Sequence, residues 1–239
     1  FTSGGTESNN LALKGAAFRN QKKGKHIITT AIEHMSVINV CKFLQKEGYE
    51  VTFVPVDKQG VVDLKKLEEA ITDKTVLISV IYASGEIGTI QPISEIGKLA
   101  HDNHVPFHVD AVAAAGIVPI NIKEENIDLL SISSNDMYGP KGVGALYVKT
   151  GTKLLPVNQG GGQERGLRPG TENIPGIVGM GKAAELIIES IEKTLKQGYR
   201  TADISQKGDK VVTTQELTKI IINNFDVIYN EQALGVFTL

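Results

Sequence analysis

Two periodicities take turns along the chain. Short apolar runs at His26–Thr30, Tyr49–Val56, Thr75–Tyr82, Val105–Asp110, Asp128–Ser133 and Gly144–Lys149 read as strands. Between them, apolar residues at helical spacing predict helices. Leu11, Leu13, Ala16, Ala17 and Phe18 fit one helical face. Val37, Val40, Cys41 and Leu44 fit another, closed by Gly48, and Asp63–Ile71 and Ile93–His101 complete the series, the last with Pro92 near its start. Strands and helices that alternate with connections of this length predict an α/β fold, a mostly parallel mixed sheet flanked by helices. The alternation then stops. A long helix runs from Glu172 toward Lys196, a polar, turn-rich stretch covers residues 197–210, and a further helix is expected near Gln215–Ile222. This divides the chain into a large domain, residues 1–190, and an atypical tail, residues 191–239. At the other end, Phe1-Thr2-Ser3 reads as the end of a strand, so the chain is expected to begin in mid-domain.

In parallel sheets, ligands bind beyond the carboxyl ends of the strands, so the polar residues at strand exits are the candidates for chemistry. Gly4 and Gly5 open a turn into the first helix, whose free N–H groups, with the Thr6 and Ser8 hydroxyls, would hold a phosphate; a plain helix cap is the alternative. His34 follows Glu33 at the next exit and could meet a ligand or simply bond within its loop. Asp110 ends a strand, where it either caps a turn or pairs with a ligand cation. Ser131–Gly144 holds Ser133, Ser134, Asn135, Asp136 and Lys141 in a single turn redirected by two glycines and a proline. Arg165 and Arg168 lie in a glycine-rich loop that could engage an anion, reach a partner subunit or stay solvated. Alternation places His108 and Asp110 on one strand face, but no helical HxxxH pair accompanies them, and no metal site is expected.

Composition narrows the partners. In 239 residues, 41% hydrophobic and 22% charged, the net charge is only −2, which argues against a dedicated nucleic-acid or anionic-membrane surface. No apolar run is long enough for a membrane span and no signal-peptide pattern opens the chain, so the expected location is cytoplasmic. The single cysteine, Cys41, excludes an intrachain disulfide and falls on the apolar side of its helix, as a packed thiol does.

Taken together, Thr2-Ser-Gly-Gly-Thr-Glu-Ser-Asn-Asn10, Glu33-His34, Glu86-Ile-Gly88, His108-Val-Asp-Ala111, Tyr138-Gly-Pro-Lys-Gly-Val-Gly144 and Gly160-Gly-Gly-Gln-Glu-Arg-Gly166 resemble the cysteine desulfurases of the class-V aminotransferase group, in order and spacing from Phe1 to Leu186. The resemblance implies fold type I and pyridoxal 5'-phosphate as cofactor. It implies that Gly5, Thr6 and Ser133 hold the phosphate, His34 stacks on the ring and Asp110 pairs with the ring nitrogen. Thr171 would reach the cofactor phosphate of the neighbouring subunit in a homodimer. The implied activity is sulfur transfer from L-cysteine for iron-sulfur or thio-cofactor assembly, with an iron-sulfur scaffold protein as a partner.

Against that family's pattern, Asn135-Asp136 stands where a His-Lys pair is expected, so no catalytic residue is intact: Asp136 occupies the position of the Schiff-base lysine, and a carboxylate forms no imine. Gly85 and Ala113 replace an asparagine and a glutamine that contact the cofactor. Lys141 is the nearest amine, held back by its rigid Gly-Pro lead-in. Asp136 is expected to be a buried anion beside the ring. The family's catalytic cysteine belongs to a C-terminal domain for which this chain has no counterpart, and Cys41 does not match it. The tail, at Lys193–Ile204 and Val212–Glu216, instead resembles the C-terminal ends of isopropylmalate and isocitrate dehydrogenases. The expectation is an impaired desulfurase relative with cofactor bound non-covalently at best; the alternatives are a non-catalytic dimeric scaffold of that descent and a dehydrogenase-like protein judged by its tail.

Overall fold

The computed structural model describes the backbone of residues 1–236 and the side chains of residues 1–228. Its elements in chain order are α1 (Gly5–Asn20), β1 (His26–Thr30), α2 (Met35–Lys46), β2 (Glu50–Val54), α3 (Leu64–Ala70), β3 (Thr75–Ile81), α4 (Ile93–Asp102), β4 (Phe107–Asp110), β5 (Leu129–Ser133), β6 (Gly144–Val148), α5 (Ile174–Lys196), β7 (Tyr199–Arg200), β8 (Lys210–Val211) and α6 (Thr214–Val236). Two compact units result, Phe1–Ile177 and Val178–Leu239.

In the first unit six strands form one sheet in the order β2-β1-β3-β4-β5-β6, parallel throughout except for β6, which runs antiparallel to β5. The mostly parallel mixed sheet follows from the alternation in the sequence. Successive residues of a strand face opposite sides, and the core divides accordingly. Ile28, Ile78, Val80, Phe107 and Val109 pack with Leu67 of α3 and with Ile96 and Ala100 of α4. Ile27, Leu77 and Leu129 pack with Leu13, Ala16 and Ala17 of α1 and with Val37, Val40, Cys41 and Leu44 of α2. Helices therefore cover both faces, which is why β1, β3 and β4 are buried without interruption.

α1 departs from the one-faced helix expected. Leu11, Ala12, Leu13, Gly15, Ala16 and Ala17 are all buried, as are the polar Ser8 and Asn9. It lies across β3, β4, β5 and β6 and beside α2, so nearly every side meets protein. Small residues make this possible: a Cβ at Gly15 would stand 2.9 Å from the carbonyl oxygen of Leu155. Ser8, expected to face a ligand, instead sits 2.8 Å from the Thr2 hydroxyl, because the turn before α1 is itself tied to the sheet. Thr2 and Gly144 exchange backbone hydrogen bonds of 2.9 and 3.0 Å in an antiparallel bridge, extending the sheet edge beyond β6.

The second unit is built on two helices. α6 spans 23 residues, far longer than the helix expected at Gln215–Ile222, since its polar positions did not mark an end. Asn224 donates from Nδ2 to Thr194 Oγ1 at 2.8 Å and to Gln197 Oε1 at 3.0 Å, joining α6 to α5. The stretch read as turns contains a short parallel ladder pairing Tyr199 with Lys210 and Arg200 with Val211. Among the described residues, no helix is long and apolar enough to cross a membrane.

The bridge at Gly144 is tight. A Cβ there would come within 2.7 Å of Gly4 Cα and 2.8 Å of Ile132 O, both backbone and unable to step aside. Gly144→Ala is expected to destabilise the protein by about 1–3 kcal/mol through overpacking. Chemical denaturation measures this; an unchanged midpoint would show that the turn before α1 is not clamped to the sheet.

Candidate functional site

Parallel strands direct their carboxyl ends to one side of the sheet, and the exits of β1, β3, β4 and β5 converge there with the start of α1. They enclose a cavity of about 630 Å³, a size suited to a cofactor. Gly5 and Thr6 line it from α1, Glu33, His34 and Ser36 from the β1 exit, and Ser84, Gly85 and Glu86 from the β3 exit. Asp110, Val112 and Ala113 line it from the end of β4, and Ser133 and Asp136 from the end of β5. Five of the six residues expected to bind cofactor thus share one cavity with Asp136. Thr171 does not; it borders a separate 60 Å³ recess with Phe1, Ser3 and Glu172.

The α1 end of the cavity suits an anion. No side chain caps the first turn of α1, and Gly4 before it has φ +148°, a conformation that favours glycine. Gly5 and Thr6 therefore bring uncapped backbone N–H groups to the cavity wall, and the Ser133 and Thr6 hydroxyls add donors. Gly5 is required for a second reason: a Cβ there would lie 2.5 Å from Val112 Cγ2, on the segment that follows Asp110.

Asp110 is 3% exposed. Burial raises its pKa, opposed by hydrogen bonds from the Val112 N–H at 3.1 Å and from Asn9 Nδ2 at 2.7 Å and by the charge of His34; Asp136 pushes it further up. Asn9 also donates to Ser36 Oγ at 2.8 Å. Ser36 Oγ in turn lies 2.7 Å from His34 Nδ1, which also accepts the Ser36 backbone N–H at 3.1 Å. A backbone N–H can only donate, so Nδ1 is an acceptor and the neutral ring carries its proton on Nε2. His34 is thus both the N-cap of α2 and a cavity residue, the two roles left open by the sequence. Asn9 and Ser36 escaped sequence reading. Asn9 lies on the buried side of a helix, where its polarity had no visible partner until the fold brought Asp110 to it.

Glu33 has a strongly perturbed carboxyl. It is 5% exposed; its Oε1 accepts from Thr30 Oγ1 at 2.6 Å and from the Ile81 N–H at 2.9 Å, while Oε2 is buried without a partner. Burial pushes its pKa up to about 8, against the two hydrogen bonds and with the Asp110 charge adding to the rise. At neutral pH it is a protonated acid, able to donate from Oε2.

Other candidates fall elsewhere. Asp136 is exposed, not buried, because Asn135–Met137 forms a single 3-10 turn at the cavity edge. Lys141 is also exposed and is not among the residues lining the cavity, to whose walls no lysine or arginine contributes among the described residues. Cys41 is fully buried, and burial, with Glu33 adding, pushes its thiol up to about 12. Arg168 pairs with Glu7, Nε to Oε1 at 2.8 Å, and holds that carboxyl low against the opposing effect of burial. Both residues line a second cavity of about 280 Å³. His108 is fully buried, with Ser79 Oγ 2.8 Å from Nδ1 and Ser131 Oγ 2.9 Å from Nε2, so both ring nitrogens are taken within the sheet.

An uncapped helix start, a buried carboxylate and a histidine thus surround one cavity at the carboxyl end of an open α/β sheet. The chain belongs to the class-V aminotransferase family, whose model it matches over residues 1–226, and within that family to the cysteine desulfurases. It is 52% identical over 233 residues to a cysteine desulfurase IscS of Methanosarcina thermophila, an alignment covering 96% of this chain and 58% of the relative. Over 186 residues it is 58% identical to IscS 1 of Archaeoglobus fulgidus, covering 78% and 48%. Among solved structures, a NifS-like protein superimposes with a TM-score of 0.77 at 42% identity, over 82% of this chain and 54% of that one. SspA in complex with cysteine does so with a TM-score of 0.74 at 40% identity, over 86% and 62%. The chain spans about half the length of the curated relatives it matches.

Glu33 leaves a measurable trace in stability. Folded Glu33 keeps its proton to about pH 8, while the unfolded group releases it near 4.5, so stability falls as pH rises across that window and levels off above it. His108, pushed down to about 3 by burial, acts with the opposite sign, losing stability as pH falls from 6.5. Between pH 6.5 and 8, Glu33 is therefore free of His108. Glu33→Gln, a mimic of the protonated acid, is expected to flatten the decline in unfolding free energy over that interval. Parallel profiles for the two proteins would mean that Glu33 ionises like an exposed glutamate.

Proposed function

We propose that this chain is the cofactor-binding large domain, residues 1–190, of a cysteine desulfurase-type protein and that it binds pyridoxal 5'-phosphate non-covalently. The observation that carries this reading is Asp110, buried at a strand end and held by Asn9 beside His34, in the same cavity as the uncapped start of α1. Those donors fit a phosphate, and Asp110 fits a protonated ring nitrogen. Among the described residues no amine lines the cavity, so these residues fit the cofactor without a covalent link. Bound there, pyridoxal 5'-phosphate supplies an electron sink for bonds broken at a substrate α-carbon. The chain's own residues do the rest. Gly5, Thr6 and Ser133 anchor the phosphate, and Asp110 keeps the proton on the ring nitrogen by charge pairing in a low-dielectric setting. His34, with Nδ1 tied to Ser36, would stack on the ring and leave Nε2 free to meet a ligand.

In the complete family reaction L-cysteine is the substrate and its sulfur passes to a thiolate, for iron-sulfur or thio-cofactor assembly through a scaffold protein. Within this reading the protein is a cytoplasmic homodimer in which Thr171 reaches the partner's cofactor phosphate. Asp136 stands at the Schiff-base position, and a carboxylate forms no imine, which supports an impaired activity. A second reading, a non-catalytic dimeric scaffold of the same descent, is favoured by the absence of any lysine from the cavity wall.

Titration of the purified chain with pyridoxal 5'-phosphate is expected to show saturable binding in the micromolar range without an imine absorbance band, weakened at least tenfold by Asp110→Asn, which leaves the ring proton unpaired. No saturable binding, with a dimer indifferent to cofactor, would favour the scaffold. With L-cysteine and excess cofactor, sulfide release is expected to stay at the level of cofactor alone; turnover at rates typical of an enzyme would overturn the assignment of Asp136.

A further inference from the structure

The walls of the large cavity carry four carboxyl groups, Glu33, Glu86, Asp110 and Asp136, and not one lysine or arginine. Asp110 spends its two oxygens on Asn9 and the Val112 N–H, and Glu33 keeps a buried Oε2 with no partner. Asp136, exposed at the cavity edge, takes no hydrogen bond or ion pair from any described residue, yet lies near enough to Asp110 for their charges to oppose each other. Two carboxylates facing one space without a cation repel, and a ligand that brings a positive charge between them relieves that repulsion. An aldehyde brings none. It cannot form an imine with a carboxylate, and its carbonyl oxygen would meet Asp136 acceptor to acceptor.

We propose that this cavity selects the amine form of the cofactor, pyridoxamine 5'-phosphate, over the aldehyde form, with Asp136 as the counter-ion of the 4'-ammonium group. The proposal rests on the cofactor-binding reading above and assigns Asp136 a binding role in place of a lost catalytic one. Ring and phosphate are common to both forms, so the contacts of Thr6, Ser133, His34 and Asp110 cancel in the comparison. What remains is one charge-assisted hydrogen bond, of the kind that typically changes affinity by about tenfold or more. Protonated Glu33 adds no charge to compete for the ammonium.

Three ligands that differ only at the 4' position decide the matter: pyridoxamine, pyridoxine and pyridoxal 5'-phosphates, titrated into the full chain by calorimetry at pH 7. The amine form is expected to bind about tenfold more tightly than the other two, with the difference shrinking in 1 M salt. Asp136→Asn should bring the three within about threefold of one another, and Asp136→Lys should reverse the order and let borohydride fix the aldehyde form to position 136. Since Asp136 is exposed, neither variant threatens the fold. Equal binding of amine and neutral hydroxymethyl forms to the unaltered chain, or a preference for the amine that persists in Asp136→Asn, would overturn the counter-ion role while leaving the cofactor site standing. Failure of all three ligands to bind would remove the cofactor reading itself and this inference with it.

Discussion

A carboxylate at the end of a buried strand costs several kcal/mol to keep ionised unless its oxygens find donors, and Asp110 finds them in Asn9 and in the backbone of Val112. That requirement reaches well beyond one residue. Asn9 has to be on the sheet side of α1, and α1 lies across four strands with Leu11, Ala12, Leu13, Gly15, Ala16 and Ala17 buried. Ser36 has to be at the start of α2 to take the second Asn9 hydrogen, and through Ser36 the His34 ring is fixed in one tautomer. A single buried charge thereby links the first helix, the second helix and the fourth strand. The same contacts that make Asp110 tolerable in the core hold His34 beside it.

The cavity this network borders is polar in an uneven way. Its α1 end presents backbone donors and hydroxyls, suited to a phosphate, while the strand exits add the carboxyls of Glu33, Glu86, Asp110 and Asp136. Uncapped N–H groups at a helix start carry partial positive charge and favour an anion there. The carboxyl side favours a proton or a cation. A molecule with phosphate at one end and a protonated nitrogen at the other matches both, and the position of Asp136 bears on which such molecule.

Much of the fold was legible in the sequence because period-2 and period-3.6 patterns are local. All six strands of the main sheet and its flanking helices follow from runs of a few residues, and Gly48 and Pro92 mark their ends within a residue or two. Legibility failed where polarity and environment disagreed. α1 looked amphipathic, yet its polar Ser8 and Asn9 are as buried as its leucines, paired with residues far along the chain. α6 outran its prediction because apolar periodicity there is weak. Asp136 looked buried by analogy, but a one-turn 3-10 segment leaves it exposed.

For the site, the sequence determined which side chains stand at strand exits, since a strand's end is visible as the place where apolar residues give way to glycine, serine and acid. Gly5, Thr6, His34, Asp110, Ser133 and Asp136 were all identifiable in this way, and the absence of a lysine at 136 is a fact of sequence alone. Only the tertiary structure decided what those residues share. Asn9 and Asp110 lie 101 positions apart and carry no local signal of their contact, and the proton held by Glu33 depends on how completely burial excludes water from it. Hydrogen bonds across the sheet and the desolvation of a carboxyl are properties of packing, fixed only when distant segments meet.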